Sequence, residues 1–259
     1  MIARPRERAP GPGGFGGFRP EAFRFLRDLG RNNEKTWFEA HRDVYERELR
    51  APMRQLVETL DARLSAIAPE IVGDPNRSMF RIHRDVRFSR NKSPYKTNAG
   101  AWLYHRDAGR KVGRVGEGGG AGFYFHIDAT TCFMAGGIWM PAPPALLRIR
   151  AAIDARPTAL ARLTSAPGFR QRFDGLNEQA KLRRVPRGFS PDHPAAEWLK
   201  LQSFTASASI EPSVVTSPRL VDHLCRDFER LVPLVRWLNR GLGYEPAKTR
   251  SGAGAPPGR

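Results

Sequence analysis

Three runs decide the fold: Ala99-Gly100-Ala101-Trp102-Leu103-Tyr104-His105, Phe123-Tyr124-Phe125-His126-Ile127-Asp128 and Cys132-Phe133-Met134-Ala135-Gly136-Gly137-Ile138-Trp139-Met140. Each is short and rich in aromatic and apolar residues, and polar or Gly-rich breaks bound it, as expected of strands. The run at 79–88 has the same character, so the centre of the chain predicts four strands in an antiparallel meander. Residues 203–210 alternate, with Phe204, Ala206, Ala208 and Ile210 on one side, and can form a fifth. Outward from this centre the apolar period lengthens to that of a helix. Ala22, Phe25, Leu26 and Leu29 recur at helical spacing between Pro20 and Gly30. Asn33 is placed to cap a second helix carrying Trp37, Phe38, His41 and Tyr45, which Pro52 is expected to break or kink. Met53, Leu56, Val57, Leu60, Leu64 and Ile67 predict a third, ended by Pro69. Beyond the strands, Pro144 opens a segment with Leu146, Leu147, Ile149 and Ile153. Ser217, followed by Pro218, is expected to cap a final helix with a stripe of Leu220, Leu224, Leu231, Val235, Leu238 and Leu242, kinked or split at Pro233. Helices, then strands, then helices is an α+β order: an antiparallel β-meander of four to five strands flanked by N-terminal and C-terminal helices.

Composition bounds the function classes. The chain has 259 residues, 40% of them hydrophobic, enough for a packed core. No apolar run approaches the roughly 20 residues that span a bilayer, so no membrane partner is expected. The N-terminus carries Arg4, Arg6 and Arg8 without an apolar stretch, unlike a signal peptide, which points to the cytoplasm. Residues 1–17 and 246–259 read as Pro- and Gly-rich disordered tails around one domain at 18–245. Cys132 and Cys225 form no C-x-x-C pair and are expected as buried free thiols. The formal charge is +17, carried mostly by arginine. It fits either a basic solvated surface or a polyanionic partner, including nucleic acid bound through the basic surface or the tails. Oligomeric state leaves no trace in the composition.

The densest chemistry lies in Phe80-Arg81-Ile82-His83-Arg84-Asp85-Val86-Arg87-Phe88, followed by Ser89-Arg90-Asn91-Lys92-Ser93-Pro94-Tyr95-Lys96. As a strand, the first run would turn Arg81, His83, Asp85 and Arg87 to one face. Guanidinium forks and ammonium groups in one short span are what phosphate or carboxylate recognition needs. Asp85 would hold arginines in place and Tyr95 would offer a hydroxyl. The plainer alternative is an exposed ladder of ion pairs, each contributing under about 1 kcal/mol. Residues 116–121 match G-x-G-x-x-A by letters but lead into a strand, whereas a dinucleotide fingerprint opens a helix.

The spacing Arg81-x-x-Arg84-Asp85-x-Arg87-Phe88-x-x-Asn91-Lys92-x-x-Tyr95 resembles the signature of a bacterial family known as domain of unknown function 2461. The opening Phe25-Leu26-x-x-Leu29-x-x-Asn32-Asn33 is similar as well. So are Gly122 to Ile127, Gly136-Gly137-Ile138-Trp139-x-Pro141, Pro186-Arg187-Gly188-Phe189-x-x-Asp192-His193-Pro194 and Trp198-Leu199-Lys200. The resemblance extends from about Phe23 to Leu242. It implies an α+β fold and a site, and it carries no reaction.

The remaining candidates are weaker. His83, His105 and His126 sit on or near neighbouring expected strands, but Arg81, Arg87 and Lys92 would repel a cation, and no metal is expected. His126 shares its alternation with Tyr124 and Asp128 and reads as a hydrogen-bonded core or rim histidine. Asp192-His193 is either a loop acid–base pair or a helix cap, with Lys200 close behind. Trp102, Tyr104, Phe123, Phe125, Phe133 and Trp139 read as core. No nucleophile motif and no cofactor motif is present. The expected site is Arg81, Arg84, Asp85, Arg87, Asn91, Lys92, Tyr95 and Lys96, joined by Asp192, His193 and Lys200. At least three of Arg81, Arg84, Arg87, Lys92 and Tyr95 are expected to line one cleft. The expected ligand is a small phosphorylated or carboxylated anion, with turnover open. The alternatives are a nucleic-acid-binding module and an interaction scaffold without a ligand.

Overall fold

The computed structural model describes residues 14–110 and 119–247. Helices α1 (Pro20–Arg31), α2 (Lys35–Ala40) and α3 (Arg42–Tyr45) lead through a π-helical turn at Glu46–Arg50 into α4 (Ala51–Ile67). Strands β1 (Ile71–Val72), β2 (Asn98–His105), β3 (Gly122–Asp128) and β4 (Cys132–Ile138) follow. Then come α5 (Pro143–Ala155), α6 (Ala159–Ser165), α7 (Pro167–Arg170), α8 (Ala196–Leu199), β5 (Phe204–Ser209), α9 (Pro212–Val215) and α10 (Arg219–Leu242). The five strands lie in the order β1-β2-β3-β4-β5, every pair antiparallel. The α+β meander flanked by helices is therefore observed, with β5 at 204–209.

The first strand is not the expected one. Residues 79–88 make only two isolated bridges, Met79 to Ala101 and His83 to Tyr95, and the edge strand is β1. The chain from 80 to 96 instead folds back on itself. Phe80 N–H donates to Gly100, Arg84 N–H to Pro94 and Lys96 N–H to Ile82. Pro94, opposite Arg84, has no N–H to return that bond, so the pairing does not continue as a ladder.

Register divides the sheet into two unlike faces. One row runs Leu103–Phe123–Gly136–Ala206 and the next Ala101–Phe125–Met134–Ala208. This apolar face packs on the helices: Phe123 stacks on Phe228 of α10 at 4.5 Å and Phe125 on Phe18 at 5.9 Å. The opposite face carries Trp102–Tyr124–Ala135–Ser207 and Gly100–His126–Phe133–Ser209. There Phe133 is only half-buried, and Trp139, past the end of β4, is 57% exposed, so neither is the core residue expected.

The helices depart from expectation at their ends. Asn33 does not cap α2; Glu34 stands there, and Asn33 bonds elsewhere. Pro52 neither breaks nor ends its helix. Its missing N–H and ring are accommodated by the π-turn just before it, which widens the backbone where the proline would strike a carbonyl. Ser217 donates to the Val214 carbonyl instead of capping α10, which runs unbroken through Pro233 with that ring exposed. Phe15, inside the expected N-terminal tail, is buried against Phe18. The rest of that tail up to residue 13, most of the C-terminal one and residues 111–118 of the Gly-rich loop lie outside the described residues. No described helix is long and apolar enough to cross a membrane.

Two polar side chains, Arg236 half-buried and Asn239 buried, tie α10 to the rest. Arg236 forms a bidentate pair with Glu70 at 2.7 and 3.3 Å. Asn239 clamps the Ala121 backbone, accepting its N–H at 2.8 Å and donating to its carbonyl at 3.1 Å. Asn239→Ala strands both backbone groups, and a urea titration is expected to show a loss of about 1–3 kcal/mol. An unchanged midpoint would mean that water replaces the amide.

Candidate functional site

Asn33 anchors the basic loop from below. Its side chain accepts the Tyr95 N–H at 3.0 Å and donates to the Tyr95 carbonyl at 3.1 Å. The Tyr95 ring is buried, stacked on Phe38 at 4.1 Å. Beyond this base the loop's charges serve its own shape. Arg87 grips Asp85 through Nε at 3.0 Å and Nη2 at 2.7 Å. Those bonds, with the Arg87 N–H, hold the Asp85 carboxyl down at about 2. Lys92 Nζ donates to the Val86 carbonyl at 3.0 Å, Arg84 reaches Ser89 Oγ at 3.4 Å, and Asn91 accepts the Ser93 N–H at 2.9 Å. Phe88 is left at the tip, 96% exposed. None of these residues lines the described clefts of about 560, 330 and 460 Å³. Because the Asp85–Arg87 pair is open to water, Arg87→Ala is expected to leave the melting temperature unchanged while raising proteolytic cleavage within residues 85–92.

The second arm of the expected site engages other partners. His193 Nε2 lies 3.1 Å from Asp154 of α5, and its Nδ1 accepts the Ala195 N–H at 3.0 Å. Asp192 is exposed and does not pair with it. Lys200 is bound at 2.5 Å by Glu197, which Lys181 also approaches at 3.0 Å. These groups fasten the segment between β4 and β5.

What converges is a different set, on the polar face of the sheet. Phe80 lies edge-on to Tyr124 at 6.0 Å. Lys96 Nζ and the Arg110 guanidinium lie over the Phe80 ring, at 5.4 and 5.6 Å from its centre. Burial, then Arg81 and Arg110, push the Lys96 ammonium below its usual range, so the three cations share one neighbourhood. Among the described residues Lys96 and Arg110 have no carboxylate partner, and Arg81 feels one only through the charge of Asp85, which Arg87 already holds. Beside them, Tyr124 Oη is 2.9 Å from His126 Nδ1, and His126 Nε2 is 3.4 Å from Asp128 Oδ2. The His126 ring stacks on Phe133 at 4.6 Å. Trp102, in register with Tyr124, is buried with its indole N–H unpaired. No described group of three or more His, Cys, Asp and Glu side chains is arranged to hold a metal. Burial lifts the Cys132 thiol to about 12, which removes it as a nucleophile.

Gly100 makes this arrangement possible. A Cβ there would lie 2.5 Å from Tyr124 Oη, so only glycine leaves the hydroxyl its place across β2. Gly100→Ala is expected to displace the phenol from His126 at a cost of about 0.5–1.5 kcal/mol for the lost hydrogen bond. The fold stays intact because the blocked atom is the end of a side chain. An unmoved His126 ring resonance by NMR would refute the displacement.

Of the expected residues, Arg81 and Lys96 thus adjoin this cluster, while Arg84, Asp85, Arg87, Asn91, Lys92 and Tyr95 build the loop. Tyr124, His126, Asp128 and Arg110 form a grouping that lies outside the expected site. The period-two row Tyr124-x-His126-x-Asp128 was the available signal. The family described as conserved hypothetical protein (DUF2461) has a model that matches residues 21–237. No curated protein matches the chain.

Proposed function

Since the chain belongs to that family, whose description assigns no reaction, we propose from its geometry that it binds a small, multiply charged anion on the polar sheet face. One observation carries this: Lys96 and Arg110 lie over the Phe80 ring with Arg81 in the same neighbourhood, and among the described residues neither Lys96 nor Arg110 has a carboxylate partner. Like charges held together cost free energy that an anion recovers.

The test is a thermal melt with and without millimolar phosphate, pyrophosphate or nucleotide monophosphate. An anion at a hundred times its dissociation constant should add about 2.7 kcal/mol of stability. Lys96→Ala is expected to melt no lower than the wild type without anion and to lose most of the anion-induced rise. Arg87→Ala keeps that rise. A wild-type melt unmoved by every anion sinks the reading and promotes the scaffold alternative.

Phe88 supports a second reading. An aromatic ring exposed at the tip of a loop carrying Arg87, Arg90 and Lys92 is a stacking platform of the kind single-stranded nucleic acids use. Binding of an oligonucleotide that weakens steeply with salt and is lost in Phe88→Ala would favour it.

A further inference from the structure

We propose that the Asp128, His126 and Tyr124 row makes the polar sheet face a hydrolytic centre for a phosphate ester, with Tyr124 as the catalytic residue. The inference rests on the anion-binding reading and adds turnover to it. Hydrogen bonding assigns each proton. Asp128 Oδ1 accepts the Thr130 N–H at 2.7 Å, the Thr131 N–H at 2.6 Å and the Thr130 hydroxyl at 3.1 Å. These donors favour the ionised carboxylate and leave Oδ2 to face His126 Nε2. Nε2 then carries the imidazole hydrogen and Nδ1 is the acceptor, so Tyr124 donates its hydroxyl proton to Nδ1. The order is orienting carboxylate, base, hydroxyl, with the ring pinned flat on Phe133. The Tyr124 oxygen keeps a lone pair for a water molecule. Two guanidinium groups and an ammonium suit a dianionic phosphoryl group better than a single carboxylate.

In the step, a water oxygen forms a bond to phosphorus. One water proton passes to the Tyr124 oxygen as Tyr124 passes its own to His126 Nδ1. The bond from phosphorus to the departing alcohol oxygen breaks, and that oxygen takes the proton back from the imidazolium through Tyr124. Ester and water give phosphate and alcohol, and no other reactant is needed. Asp128 stays ionised, holds the imidazole in place and stabilises its cationic form, which makes it a positioning residue.

The experiment measures phosphate release by the full chain from p-nitrophenyl phosphate and bis(p-nitrophenyl) phosphate, with the phosphate-induced melting shift recorded in parallel. The wild type is expected to hydrolyse at least one of them. Tyr124→Phe and His126→Asn should each lower kcat by roughly 10²–10⁴-fold while the melting shift persists. Asp128→Asn should lower kcat with KM unchanged, which a purely structural role would not produce. Tyr124→Phe removes only the hydroxyl and guards the test against misfolding of the His126 variant. If phosphate raises the melting temperature but neither ester is cleaved, or if Tyr124→Phe retains full activity, the hydrolytic inference falls and anion binding stands. If phosphate does not shift the melt either, both fall.

Discussion

Arg236→Met is expected to destabilise the protein by about 3–5 kcal/mol, toward the lower end because the Arg236 side chain is partly exposed. The substitution leaves the Glu70 carboxylate buried beside α10 with its bidentate partner gone. The sign of the pH dependence tests the cause. In the wild type, burial pushes the Glu70 carboxyl up, but the Arg236 hydrogen bonds, a backbone N–H and the Arg236 charge outweigh it, and the group ends below its usual range. A depressed carboxylate stabilises the fold above its unfolded pKa, and that contribution is lost as pH falls through the folded value. Without Arg236 the burial effect is opposed only by backbone N–H donors and the carboxyl moves up. The gap between the two proteins should therefore be widest near neutral pH and close in acid. Urea titrations at several pH values measure it, and a gap that stays constant into acid would place the loss in packing instead.

Gly137→Ala should cost roughly 2–5 kcal/mol, the sum of left-handed backbone strain and overpacking. Gly137 has a φ of +126°, and an added Cβ would lie 1.9 Å from the Phe204 carbonyl oxygen. That neighbour is backbone of β5 and cannot turn aside as the end of a side chain can. β5 must shift or detach, so hydrogen exchange should quicken at 204–209 before it does in β2 and β3. Uniform acceleration across the sheet would show instead that β5 does not open by itself.

The sequence displays its fold well where one face is buried and the other is not. The stripes of α1, α4 and α10 and the aromatic runs of β2 and β3 advertise their own period, because burial on one side selects apolar residues at that spacing. Residues 79–88 mislead for the same reason: Phe80, Ile82, Val86 and Phe88 alternate like a strand. Yet Pro94 denies it a continuous ladder, and partners are not visible in a local pattern. At the site, Arg81 and Lys96 were legible as donors. Arg110 was not, since it reaches Phe80 from a loop on the far side of β2. Tyr124 and His126 share an alternation in the sequence, but their hydrogen bond depends on the gap at Gly100, which only the register across two strands reveals.

The order of the strands also sets a timetable for assembly. β2, β3 and β4 pair with their nearest neighbours in sequence, so the centre of the meander closes far shorter loops than β5 does. β5 joins only after the long segment from 139 to 203 has been looped out, and α10 reaches Glu70 across 166 residues. These late contacts come at the greater loop-closure entropy. The Tyr124–His126 pair belongs to the early hairpins, whereas the helical layer that completes the core belongs to the late ones. A ribosome releasing this chain therefore holds a sheet whose apolar face, covered in part by the N-terminal helices, lacks α10 until the last helix emerges. That interval is when the protein is most exposed to aggregation and to chaperone capture.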